Sequence, residues 1–169
     1  VLVALRLVSM FAIAGVRVYL ARAKSAEARS TVGAISRNAA AAFERESELL
    51  GQGRTLCGSA PPVPDFVPGG RGYTPSEREG TDWNTTGWRC VDFKVMTRQY
   101  YQYTYTAGGP YKGPARGGPD PGPNGFEVAA EGDLDGDGVT SLFTQIGKVD
   151  PASGKVVLSA EIFVDKEFE

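Results

Sequence analysis

The chain contains no histidine. That absence removes Ser-His-Asp and Cys-His catalysis, histidine general bases and the commonest zinc ligand sets together. Cysteine is scarce as well, with Cys57 and Cys90 the only two, too far apart for a CxxC pair. In a chain with an apolar N-terminal segment an even count suggests one disulfide and a head folded in an oxidising compartment; two unrelated buried thiols are the alternative. There is no basic excess either. The formal charge is −2, and residues 1–50 hold seven Arg or Lys against four Glu, leaving eleven basic against sixteen acidic residues in the remainder. A mildly basic stalk and a mildly acidic head do not suit nucleic acid as the main partner.

Proline is missing from residues 1–50, and glycine occurs there only as Gly15 and Gly33. Such a stretch predicts one helix of about 75 Å at 1.5 Å per residue, too long to be buried in one small domain. Its character changes along its length. Residues 1–21 are apolar except for Arg6, Ser9 and Arg17, and the uncharged run 7–16 is about half of what a membrane-spanning helix needs unless the flanking arginines snorkel. Residues 22–50 are amphipathic, with Val32, Ile35, Ala39, Phe43 and Leu50 spaced by three, four and seven, and Gly51 and Gly53 end the helix. The expected organisation is therefore 1–24 as a membrane or filament-core helix half, 25–53 as a helix half docked on a head, and 54–169 as a single β-sheet head.

Within the head, residues 56–86 carry prolines 61, 62, 64, 68 and 75 and many glycines, which predicts a loop region, stapled at its ends if Cys57 pairs with Cys90. It includes the sequon Asn84-Thr85-Thr86. Alternation then places Val91, Phe93 and Val95 on one strand face and Tyr101, Tyr103 and Tyr105 on another. The tyrosines fit cross-strand packing against the helix better than stacking on bases or sugars. Residues 107–125 are so dense in glycine and proline that they read as an exposed hairpin tip or flap. Strands follow at 126–130, 139–146 and 155–164, joined by turns into a meander.

One constellation could carry chemistry. Asp133, Asp135 and Asp137 followed by Gly138 present three carboxylates at alternate positions, the way a calcium loop offers hard oxygen ligands. Thr144 stands where an EF-hand needs its glutamate and the flanks read as strands, so the choice is between a loop-type calcium site completed by Glu131 or a carbonyl and a tight Asp-Gly turn. Nothing else offers a base, nucleophile or metal set, so an enzyme is not expected.

The retained apolar helix running into ARAKSAEARSTVGAI resembles a type IV pilin, and GWRC followed by QYYQYTYT is similar to the first strands of pilin-like heads of delta-proteobacterial type. The pattern departs from the family at its start: where pilins carry an aromatic residue and a nearby glutamate, this chain reads Val1-Leu2-Val3-Ala4-Leu5-Arg6, and the usual mid-helix proline is absent. The resemblance implies an α+β fold, a long N-terminal helix packed on a small antiparallel β-meander. It implies a structural filament subunit, a major or minor pilin assembling through Leu5, Leu7, Phe11, Ile13 and Val16. Partners would be copies of itself, the inner membrane before assembly and the pilus assembly machinery, with roles in adhesion or motility at the cell surface and no cofactor beyond possible calcium. A secretion pseudopilin or a membrane-anchored surface binding module are the alternatives.

Overall fold

The computed structural model describes the backbone of residues 2–50 and 55–169, and side chains at 16, 19–45 and 55–169. The fold is α+β. Helix α1 (Leu2–Leu50) lies on a six-stranded antiparallel sheet made of β1 (Ala60–Val63), β2 (Gln102–Ala107), β3 (Gly125–Gly132), β4 (Ser141–Asp150), β5 (Lys155–Leu158) and β6 (Phe163–Asp165). A short helix α2 (Thr86–Val91) stands between β1 and β2. Strands run in the order β1-β2-β3-β4-β5, and β6 returns to pair with the first half of β4. The stretch of α1 that packs on the sheet lies within residues 19–45. Among the described residues no helix is long and apolar enough to cross a membrane. Gly51 and Gly53, and the side chains of Leu5, Leu7, Phe11, Ile13 and Leu50, fall outside the described residues.

Docking follows from the helical stripe. Ala28, Val32, Ile35, Ala39 and Phe43 are all buried, while Arg37 and Arg45 on the opposite side are exposed. The stripe meets one face of the sheet, where register aligns Tyr103, Ala130, Phe143 and Val164, and beside them Tyr105, Val128 and Gln145. Tyr101, Tyr103 and Tyr105 have no exposed surface, so stacking on an external ring is not available to them. Their burial pushes phenol ionisation well above its ordinary range. Gly147 sits opposite Phe126, whose ring fills the space a Cβ would take. That is why a glycine is useful inside this strand.

Three expectations are corrected. The alternation of Val91, Phe93 and Val95 does not make a strand: residues 86–91 are helical, because Trp88 and Val91 at i and i+3 both enter the core and Asp92 closes the turn in a left-handed conformation, φ 59°. The region 56–86 is not all loop. Ala60-Pro61-Pro62-Val63 forms an edge strand whose two prolines face solvent, where no ladder donor is needed. The final strand is two strands, since the chain leaves β5 after Leu158 and re-enters beside β4 at Phe163.

Cys57 and Cys90 are joined in a disulfide, with Cα atoms 5.8 Å apart and a sequence separation of 33. It ties the start of the head to α2, whose Trp88 stacks edge-on with Trp83 at 4.6 Å. In the chain-entropy picture a loop of this length contributes roughly 3 to 4 kcal/mol. Phe43→Ala is expected to destabilise the head by about 3 to 5 kcal/mol in urea denaturation, and Arg37→Ala by no more than about 0.5 kcal/mol. Equal midpoints for the two variants would mean that α1 is not docked through this stripe.

Candidate functional site

Among the described residues two places carry exposed chemistry, and both lie near the N-terminal end of the docked stretch of the helix. The first is the helix itself. Val16 is 57% exposed, Tyr19 72% and Leu20 49%, whereas from Ser25 onward the inward positions are closed by the sheet. A groove of about 570 Å³ runs beside them, lined by Leu20, Arg22, Lys24, Leu134, Asp135 and Phe168. Phe168, 53% exposed, belongs to the C-terminal tail. That tail is fastened to α1: the Ser25 hydroxyl donates to Glu167 at 2.7 Å and Arg29 pairs with the same carboxylate at 3.0 Å. The Ser25 hydrogen bond, followed by Arg29, holds the Glu167 carboxyl below its ordinary range. Lys24 lies over the Tyr100 ring at 4.0 Å, and its partial burial lowers its affinity for a proton while Glu27 opposes the effect.

The second place is the aspartate loop between β3 and β4. Asp133, Asp135 and Asp137 each bring a carboxylate oxygen within 4.8 Å of the others, with Asp133 buried and the other two exposed. The backbone explains most of this arrangement. Asp133 accepts the amide protons of Gly136 at 2.7 Å and Gly138 at 3.0 Å, Asp135 accepts that of Asp137 at 3.3 Å, and Asp137 accepts that of Val139 at 2.7 Å. Gly136 and Gly138 hold φ of 80° and 91°, which glycine adopts without strain. The carboxylates thus close a turn. Their free lone pairs still point to chemistry that suits a hard cation, for which calcium needs oxygens at about 2.4 Å. Glu131 is turned elsewhere, paired with Lys112 at 2.7 Å.

The sequon asparagine, Asn84, is half-buried at the end of a 3₁₀ turn with Asp82 and Trp83, where its backbone N–H donates to Thr81 and its backbone carbonyl accepts from Gly80. Of the expected assembly residues only Val16 has a described side chain, and it is exposed. No sequence pattern signals the polar contacts that fix the tail and the Gly/Pro segment, namely Glu167 to α1, Glu127 to Lys112 and Gly113, and Arg116 to Asp165. Charged residues alternating with apolar ones in a strand signal a second face, and nothing in that alternation says what covers it.

Compared with known proteins, the chain matches no protein family, no curated protein and no solved structure.

Replacing Asp133 by alanine leaves two amide donors without their acceptor and is expected to destabilise the head by about 1 to 3 kcal/mol. Thermal melts with and without millimolar Ca²⁺ separate turn from metal site. Specific binding raises the Tm by mass action, and the rise disappears in Asp135→Asn/Asp137→Asn; an unchanged Tm leaves the loop as a turn alone.

Proposed function

We propose that this chain is a structural subunit of a pilus-like filament at the cell surface, major or minor, with the N-terminal helix as its assembly element and the disulfide-stapled sheet as its head. The observation that carries this reading is the change in α1 between residues 16–20 and 25–43. The second stretch is covered by the protein's own sheet, and the first presents Val16, Tyr19 and Leu20 to solvent on a helix that runs back to Leu2, through residues that are apolar in sequence apart from Arg6 and Ser9. Large apolar side chains on a helix with no cover in their own chain call for another surface. Lipid serves before assembly and further copies of the same helix afterwards, when close helix packing and interhelical polar contacts take over. The same features suit a secretion pseudopilin, which differs in where its filament stops and not in how the subunit is built.

A structural role also agrees with what the exposed surface offers. Among the described residues one group of three carboxylates comes together, and backbone amides of its own loop close it into a turn. No cofactor is needed for the reading. Before assembly the chain would sit in the inner membrane and meet the pilus assembly machinery there.

Cells producing the chain should show filaments by electron microscopy that are lost on its deletion and restored by the wild-type chain. Deleting residues 1–21 should give a monomer with an unchanged head melting temperature that does not enter filaments, and Leu20→Asp should reduce incorporation at least tenfold without altering the head. Filaments of unchanged number and geometry from either variant would contradict the proposal.

A further inference from the structure

The sheet has a second face, and it is not open to solvent. Opposite the tyrosines, register places Gln102 and Thr104 of β2, Glu127, Ala129 and Glu131 of β3, and Leu142, Thr144 and Ile146 of β4 on one side. Glu127 and Thr144 are each 1% exposed, Gln102 6% and Thr104 7%. What covers the polar part of this face is the Gly/Pro segment between β2 and β3, expected from composition to be an exposed tip unable to contribute to a core. That expectation is corrected: the segment folds back across β3 and β4 as far as β6, with Gly118 lying so near Phe163 that a Cβ there would meet its ring at 2.9 Å.

The cover is fastened almost entirely by polar contacts. The two carboxylate oxygens of Glu127 accept the backbone amides of Lys112 at 2.7 Å and Gly113 at 2.8 Å. Lys112 Nζ reaches Glu131 at 2.7 Å and donates to Gln102 at 2.9 Å. Arg116 pairs with Asp165 at 3.2 Å and donates to the Thr140 carbonyl at 2.6 Å. Of residues 108–124 only Gly113 and Pro121 are buried, so the segment brings no large apolar side chain under cover. Tyr111 ties the segment to itself and its root, its hydroxyl near the carbonyls of Gly122 at 2.7 Å and Gly125 at 3.0 Å. At its ends Gly108, Gly109 and Gly122 hold φ of 72°, 86° and 73°. These are positions where the backbone turns freely.

We propose that residues 108–124 are a strap, hinged at Gly108-Gly109 and Gly122, that lifts off the outer face of the sheet as a unit while the helix-sheet core stays folded. The ion pairs Lys112–Glu131 and Arg116–Asp165 are half-buried at the rim of the cover, and such pairs and hydrogen bonds are replaced by bonds to water on opening, whereas apolar burial has no such replacement. A cover held by the first kind and not the second belongs to the low-stability end of a structure. The opened face is one that water solvates, since Glu127, Gln102, Thr104 and Thr144 dominate it. The tyrosine face under α1 has the opposite character, and its exposure requires global unfolding. The strap therefore gives the head a second, gated surface independent of the helix.

Amide hydrogen exchange of the full chain, followed against urea with tryptophan emission as the report on the core, tests this. The amides of Lys112 and Gly113 should exchange through an opening with little urea dependence, and the β3–β4 ladder amides only through global unfolding. Glu127→Gln removes the charged acceptor and should speed exchange at Lys112 about tenfold, the loss of one charge-assisted bond. Gly113→Ala is a second route, because its Cβ would meet Glu127 Oε2 at 2.6 Å while no polar group is removed, and it should act in the same direction. In both variants the urea midpoint of the tryptophan signal, set by buried Trp83 and Trp88, should stay near that of the parent. The proposal is overturned if Lys112 and Gly113 share the urea dependence of the ladder amides. It is equally overturned if neither variant speeds their exchange, or if both variants lower the core midpoint as much as they loosen the strap.

Discussion

Everything in this fold depends on one contact, the laying of the narrow side of α1 onto a sheet face made of tyrosine and phenylalanine. The helix offers small and branched residues, Ala28, Val32, Ile35 and Ala39, and Gly33 and Ser36 are buried beside them. The sheet offers Tyr101, Tyr103, Tyr105, Phe126 and Phe143, all without exposed surface. Large rings against a slim helix bring a wide apolar area out of water in one layer. The helix cannot leave without exposing those rings, so the direction in which it continues beyond the head is fixed by the same packing that stabilises the head.

The other attachments are polar and local by comparison. The disulfide restrains the long connection from α1 to β2. Glu167 secures the C-terminal tail beside Ser25 and Arg29, close to where the helix loses its cover. Glu127 and Glu131 hold the strap on the far side. The molecule thus has an apolar interior on one side of its sheet and a polar, hydrogen-bonded one on the other, with different stabilities expected of each.

The parts legible in the sequence were those written in periodicity and in residue type. The spacing of Val32, Ile35, Ala39 and Phe43 marked the docked stripe, the alternation of three tyrosines marked β2, and two cysteines around a loop marked the disulfide. Short elements were misread where two periods fit equally well. Trp88 and Val91 fit a helical turn, Val91 and Val95 a strand, and only the pull of Trp88 into the core decides between them. β1 was hidden because prolines argue against a strand, and an edge position removes that objection. The strap was missed for a different reason. Its attachment uses backbone amides and long side chains meeting residues from β3, β4 and β6, and no local pattern encodes such contacts. The acidic loop was found, and its carboxylates prove to be engaged with their own backbone.

The assembly contact proposed for this chain is one in which the uncovered helix surface at Val16, Tyr19 and Leu20 meets another copy. Cysteine placed at that surface measures it. In filaments sheared from cells and treated with a mild oxidant, Leu20→Cys should form an intermolecular disulfide, read as dimers on a non-reducing gel. Arg37→Cys, on the exposed back of the same helix over the head, should remain monomeric. A Leu20→Cys chain that stays monomeric, or cross-links no better than Arg37→Cys, would contradict the account.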